Sequence, residues 1–170
     1  MSPDIAQRVV RWHPVILTLV LLAGLLAQLS VSGLDLPPFA RGVLMLFPLG
    51  PMCLWLWAVF SVARCTSLNA PSGYWEWVFA LPPAIALCAG LAGWSTNNSP
   101  AAFAVFMSLF VGLSLSAKTL ENVDAPGGSA SVGRMLATAL LMYLAPIGMW
   151  VLRPKILRVA ARSSGIPSAV

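Results

Sequence analysis

Charge is the scarcest ingredient of this chain. Only 9% of its 170 residues are Asp, Glu, Lys or Arg, while 59% are apolar. Soluble domains run at about 25% charged and 45–50% apolar, so this balance excludes a water-soluble globule. Histidine is reduced to His13, and one imidazole without Cys, Asp or Glu at ligand spacing makes no zinc or haem site. Cys53, Cys65 and Cys88 are the three cysteines, and their spacing fits neither a metal site nor a disulfide framework. No charged residue falls at the centre of any apolar run. A proton-coupled carrier, a cation pathway or a carboxylate-based intramembrane enzyme would keep one there.

The machinery of hydrolysis and phosphate binding is missing as well. Ser108, Ser114 and Ser116 have no base near them in sequence and no Gly-x-Ser-x-Gly elbow. The stretch 128–135 is spaced like a phosphate loop, but Arg134 stands where Lys is required and Met135 where Ser or Thr would hold Mg²⁺. No catalytic, metal or cofactor-binding residue is therefore assigned, and a non-enzymatic protein without a cofactor is expected.

What is abundant is apolar chain in lengths that suit a bilayer. Five runs stand out, at 13–31, 42–63, 74–94, 101–117 and 135–152, each near the roughly 20 residues a helix needs to cross about 30 Å of hydrocarbon. In lipid, unpaired backbone groups are too costly for anything but helix or closed barrel, and the period-two alternation of a barrel is absent. The expected fold is all-α, a polytopic bundle of four to five membrane segments. It comprises an interfacial helix over 1–12, the membrane bundle over 13–152 and a basic amphipathic tail over 153–170. The remaining linkers are 32–41, 64–73, 95–100 and 118–134, the last being the longest and expected to be mobile; Glu121 and Asp124 fall within it.

The few charges lie at run ends. Ten Lys and Arg face five Asp and Glu, a footprint of anionic headgroups rather than of nucleic acid. Arg8, Arg11, Lys155, Arg158 and Arg162 are the expected headgroup contacts at a cytosolic face. After Pro154 the last three share one helical stripe, as on a basic helix lying on lipid. At the chain start, Ser2 reads as an N-cap and Pro3 as a first helical residue, with Ile5, Val9 and Trp12 along one side. Trp12, Tyr74, Trp75, Trp77, Trp94 and Trp150 mark run ends, whereas Trp55 and Trp57 lie deeper and read as packing residues. Glu76 is the only acidic residue set inside a run, close to its start, and is expected to pair with Arg64 at the membrane edge. Eight Arg against two Lys hint at a GC-rich bacterial genome, hence a bacterial inner membrane with the N-terminus cytosolic.

Charge does not settle the crossing count if every run crosses, because each side then receives five basic residues. If the fifth run instead enters and returns, Arg41 alone is external and the other nine of ten are cytosolic. Pro146 and Gly148 can interrupt that run. The two topologies stand level at the level of sequence.

Cohesion is expected from small side chains. Ala104, Ser108, Gly112 and Ser116 recur every four residues, and Ala86 with Gly90 forms a second small face; such stripes let helices approach closely where lipid supplies no hydrophobic drive. Pro48, Gly50 and Pro51 share an apolar-Pro-aliphatic-Gly pattern with Pro146 and Gly148, a candidate broken-helix site. The reading that follows is an accessory, scaffold or assembly subunit of a larger membrane complex, its partners being lipids and other membrane subunits or further copies of itself. A small oligomeric transporter or channel using the broken helices is the alternative.

Overall fold

In a computed structural model of the chain, residues 3–31, 36–67, 71–92, 100–125 and 128–163 are described, and every regular element among them is helical. Helices α1 (Pro3–Arg11), α2 (Pro14–Val31) and α3 (Pro38–Thr66) are followed by a 3₁₀ helix (Gly73–Phe79). Then come α4 (Leu81–Leu91), α5 (Pro100–Asp124), α6 (Val132–Tyr143) and α7 (Ala145–Ser163). The expected Ser2 cap, Trp94, residues 32–35 of the linker 32–41 and residues 95–99 of the linker 95–100 lie outside the described residues.

Among the described residues, two stretches are long and apolar enough to cross a bilayer unaided: Gly42–Thr66, 25 residues of mean hydropathy 2.0, and Pro100–Asp124, 25 residues of mean hydropathy 1.8. At 1.5 Å per residue each is about 38 Å long. Two further spans arise if bent pairs are taken together: α1 with α2, joined at 85°, and the 3₁₀ helix with α4, joined at 41°. The outer surfaces are what water would not tolerate. Leu19, Leu26 and Leu29 on α2, and Phe103, Phe106 and Phe110 on α5, are all more than half exposed, as befits side chains facing acyl chains.

Helix α3 is the axis of the bundle. From Trp55 to Ala63 every residue is buried, so no face of this stretch is left for lipid, and α1, α2, α4, α5 and α7 all pack on it. Its crossing with α4 is a backbone contact: a Cβ on Gly42 would lie 2.9 Å from the Gly90 Cα. Ala86 and Gly90, the small face read from sequence, are both buried, with the Ala86 carbonyl 3.6 Å from the same Cβ position.

Three proline-bearing stretches decide the helix boundaries, and the sequence reading fails at one of them, Pro48 to Pro51. The third run is not one helix: Gly73–Phe79 is wound as 3₁₀, and α4 starts afresh with prolines in its first turn, a place where the missing N–H costs nothing. Conversely, Pro48 and Pro51 do not interrupt the second run, because α3 continues through both.

The third boundary concerns the fifth run, which folds back. Helix α6 has 12 residues, about 18 Å, too short to cross. Leu144, at φ −81° and ψ 54°, ends it, and the Leu144 carbonyl then accepts from the Ile147 and Gly148 amides to start α7. The turn is so tight that a Cβ on Gly148 would sit 1.9 Å from the Leu141 carbonyl oxygen. Arg134 near the start of α6 and Lys155 in α7 reach the same carboxylate, Glu121. A straight helix would hold them about 31 Å apart. The segment is thus a helical hairpin whose two limbs point to one end of the bundle.

The terminal segments are also more deeply engaged than surface helices would be. Helix α1 buries Ala6, Val9 and Val10 against α3 and α7, while Ile5 and Trp12 stay exposed. Helix α7 runs through the expected boundary at 153, carries Pro154 within it, and buries Met149, Leu152, Ile156, Val159 and Ala160.

Candidate functional site

The acidic pair expected in a mobile linker is instead the last turn of α5. That helix extends to Asp124, and ahead of α6 the Ala130 amide donates back to Asn122 Oδ1 at 3.1 Å. Ser131 caps α6 by accepting from the Arg134 amide. Three residues apart, Glu121 and Asp124 share a helix face, and that face meets the α6–α7 hairpin.

Glu121 is only 2% exposed. Lys155 Nζ and the Thr138 hydroxyl both donate to its Oε1, and Arg134 Nη2 stands 3.1 Å from Oε2. Asp124 completes the group, 3.3 Å from Lys155 and 3.6 Å from Arg134. Two carboxylates face two cations, so the cluster is neutral overall, and charge-assisted hydrogen bonds compensate the desolvation of Glu121. This corrects the expectation that Glu76 is the only partly buried acid. It also corrects the assignment of Lys155 to lipid headgroups, since its side chain is 14% exposed and its ammonium is held by two carboxylates. Arg162 donates to the Val123 carbonyl at 3.3 Å and is exposed, as are Arg8, Arg11 and Arg158.

A second polar feature lies at the end of α3. Arg64 pairs with Glu76 of the 3₁₀ helix at 2.6 Å, both side chains being partly exposed; this is the partnership read from sequence. Beside it opens a cleft of about 370 Å³ between α3, the 3₁₀ helix and α4. Gly50, Cys53, Leu54 and Trp57 line it from α3, at the i, i+3, i+4 and i+7 spacing of a single helix face. Glu76, Trp77 and Phe79 form the opposite wall. Cys53, Trp57 and Phe79 are buried at its floor, whereas Gly73, Trp77 and Ala80 are exposed at its rim. Gly50 leaves room there, for a Cβ on it would meet nothing within 4 Å.

The α5 stripe divides along its length. Ser116 is fully buried, and its hydroxyl donates across to the Leu56 carbonyl of α3 at 3.1 Å and to its own helix at Gly112. Gly112 lies under the Phe79 ring, with 3.2 Å between its Cβ position and the Phe79 Cε1. Ala104 and Ser108 are only partly buried, and Ser108 bonds within its own helix to Val105. Of the proposed broken-helix pair, Pro146 and Gly148 do sit at a real break, but Pro48, Gly50 and Pro51 belong to uninterrupted helix. His13 stays exposed at the α1–α2 elbow, edge-on to Trp150 with 5.7 Å between ring centroids.

Sequence reasoning missed Thr138 altogether and misplaced Glu121, Asp124 and Lys155. The signal that could have found them is the stretch from Lys118 to Asn122, where Lys118, Leu120 and Glu121 favour helix and neither Gly nor Pro ends α5. Comparison with protein-family models, with curated proteins and with solved structures gives no match. On its own architecture, then, the chain is a small all-helical membrane protein.

Proposed function

We propose that this protein is a non-enzymatic accessory or scaffold subunit of a larger membrane assembly, set in a bacterial inner membrane with its N-terminus cytosolic. The observation that supports this reading most is how the buried charges are used. The Glu121 carboxylate is engaged from both limbs of the hairpin, Oε1 accepting from Lys155 and Thr138 and Oε2 facing Arg134 as an ion pair, an arrangement that clasps the α6–α7 hairpin to α5 with two cations beside the acid. The wide apolar exteriors of α2 and α5 supply surface for lipid or partner helices. The orientation rests on the hairpin: with both its limbs at one end, Arg41 is set apart from the other basic residues.

The transporter alternative has less support, because one of the two breaks on which it depends is continuous helix. Purification from native membranes in mild detergent should yield the chain in a stoichiometric complex that is also recovered by tagging the partner. Proteoliposomes containing this chain alone should show no solute flux. A free monomer that sustains flux by itself would overturn the reading.

A further inference from the structure

The geometry points to the cleft between α3, the 3₁₀ helix and α4 as a binding site for an alkyl amphiphile with an ammonium head, the head at Glu76 and Trp77 and the chain lying along α3 toward Gly50. Nothing in the subunit reading requires this site, and the two stand or fall separately.

Size, wall chemistry and orientation all bear on it. A volume of about 370 Å³ lies within the range of small-molecule sites, roughly 300–1,000 Å³. The walls are apolar or aromatic apart from Glu76 and the Cys53 thiol. A carboxylate at one end of an apolar cleft favours a cation or a strong donor over an anion. Arg64 Nη2 is paired with Glu76 Oε1, so that Oε2 is the oxygen toward which an ammonium head would sit, by hydrogen bond if it carries N–H and by charge alone if it is quaternary. Tryptophan is the aromatic ring that attracts ammonium groups most strongly, and aromatic cages are the usual surroundings of quaternary ammonium ligands. Trp57 and Trp77 both line this cleft.

The direction of the cleft fits an amphiphile. Arg64, which pairs with Glu76 of the 3₁₀ helix, lies in the last turn of α3, where a bilayer-spanning helix leaves the hydrocarbon, and Gly50 is 14 residues before Arg64, about 21 Å along the axis. A head held at Glu76 would therefore be at headgroup level, with its chain descending beside Trp57, Leu54 and Cys53. The same chemistry is offered by an aminophospholipid of the bilayer and by a free cationic amphiphile.

The test uses the full chain in nanodiscs made only of phosphatidylglycerol, titrated with (12-bromododecyl)trimethylammonium, whose bromine quenches tryptophan fluorescence. Partition into lipid and attraction to its surface contribute equally in every variant. The expected result is an additional saturable component in the native chain, absent with 12-bromododecanoate. Glu76→Gln should weaken it by about tenfold, equivalent to about 1.4 kcal/mol. Because that change also breaks the pair with Arg64, Gly50→Leu provides a second variant: it fills the cleft from a position with open space, leaves the ion pair intact, and should abolish the saturable component with no loss of melting temperature. Repeating the titration in nanodiscs half of phosphatidylethanolamine assigns the source. Competition identifies a lipid head as the occupant, and an unchanged curve identifies a free amphiphile. Quenching without saturation in the native chain, or saturation that survives Gly50→Leu or that the carboxylate analogue reproduces, would overturn the proposal.

Discussion

Glu121 is the residue on which most of the polar structure converges, and its energetics are asymmetric. Removing one partner of a buried ion pair leaves an uncompensated charge and costs about 3–5 kcal/mol, whereas replacing both with apolar groups of similar size is often neutral. Lys155→Met should therefore destabilise the bundle by about 3 kcal/mol, while Glu121→Leu combined with Lys155→Met should recover most of that loss, since Asp124 still faces Arg134. Unfolding in mixed detergent micelles measures both; a double variant no more stable than Lys155→Met would contradict a compensated pair. Gly148→Ala is the sharpest steric test. Its methyl would meet the Leu141 carbonyl, so the hairpin must open, with a loss of about 1–3 kcal/mol or more in the same assay. At this scale the sequence was readable only where partners are close in chain and sit at a membrane edge, as with Arg64 and Glu76. Glu121 finds Thr138 and Lys155 17 and 34 residues away, and no local pattern encodes such a meeting.

At the scale of the element, close approach outweighs hydrogen bonding. The Ser116 bond to the Leu56 carbonyl is of a kind worth roughly 0.6 kcal/mol within membranes. Ser116→Ala should thus shift stability only slightly. Gly112→Leu must displace Phe79, which itself packs on Phe60 of α3 at 5.3 Å between centroids. Overpacking of this sort costs about 1–3 kcal/mol, and thermal unfolding of the two variants should rank them in that order; the reverse ranking would show that polar bonds hold α5 in place. Helix type and span positions were legible from hydropathy because lipid permits little else. Breaks were legible only in part, since a proline marks only a lost N–H: those near Pro82 and Pro146 are real, and the one expected at Pro48 and Pro51 is not. Within α3 the neighbouring helices keep the chain helical past Pro48 and Pro51, while at Leu144 the chain reverses ahead of Pro146. The end of α5 was misread for a related reason: charges were taken as the edge of a helix, when they are the face on which a second element docks.

For the whole molecule, the arrangement gathers charge at one end. Helix α3 closes at Arg64, α5 at Asp124, and the hairpin brings Arg134 and Lys155 back to the same level. The sequence admitted this topology and five full crossings alike, because loop charge constrains late helices weakly; the contact that decides between them is the shared carboxylate of Glu121. Function was less legible than fold, since a protein whose buried charges neutralise one another displays no reactive constellation to read. The central claim, that the fifth apolar run returns to the side it came from, is tested most directly by labelling with a membrane-impermeant maleimide in sealed vesicles of known orientation. Native Cys65, exposed in the last turn of α3, is compared with Ser129→Cys before α6 and Arg158→Cys in α7. All three should react from one side only, and labelling of Arg158→Cys from the side opposite to Ser129→Cys would contradict the account.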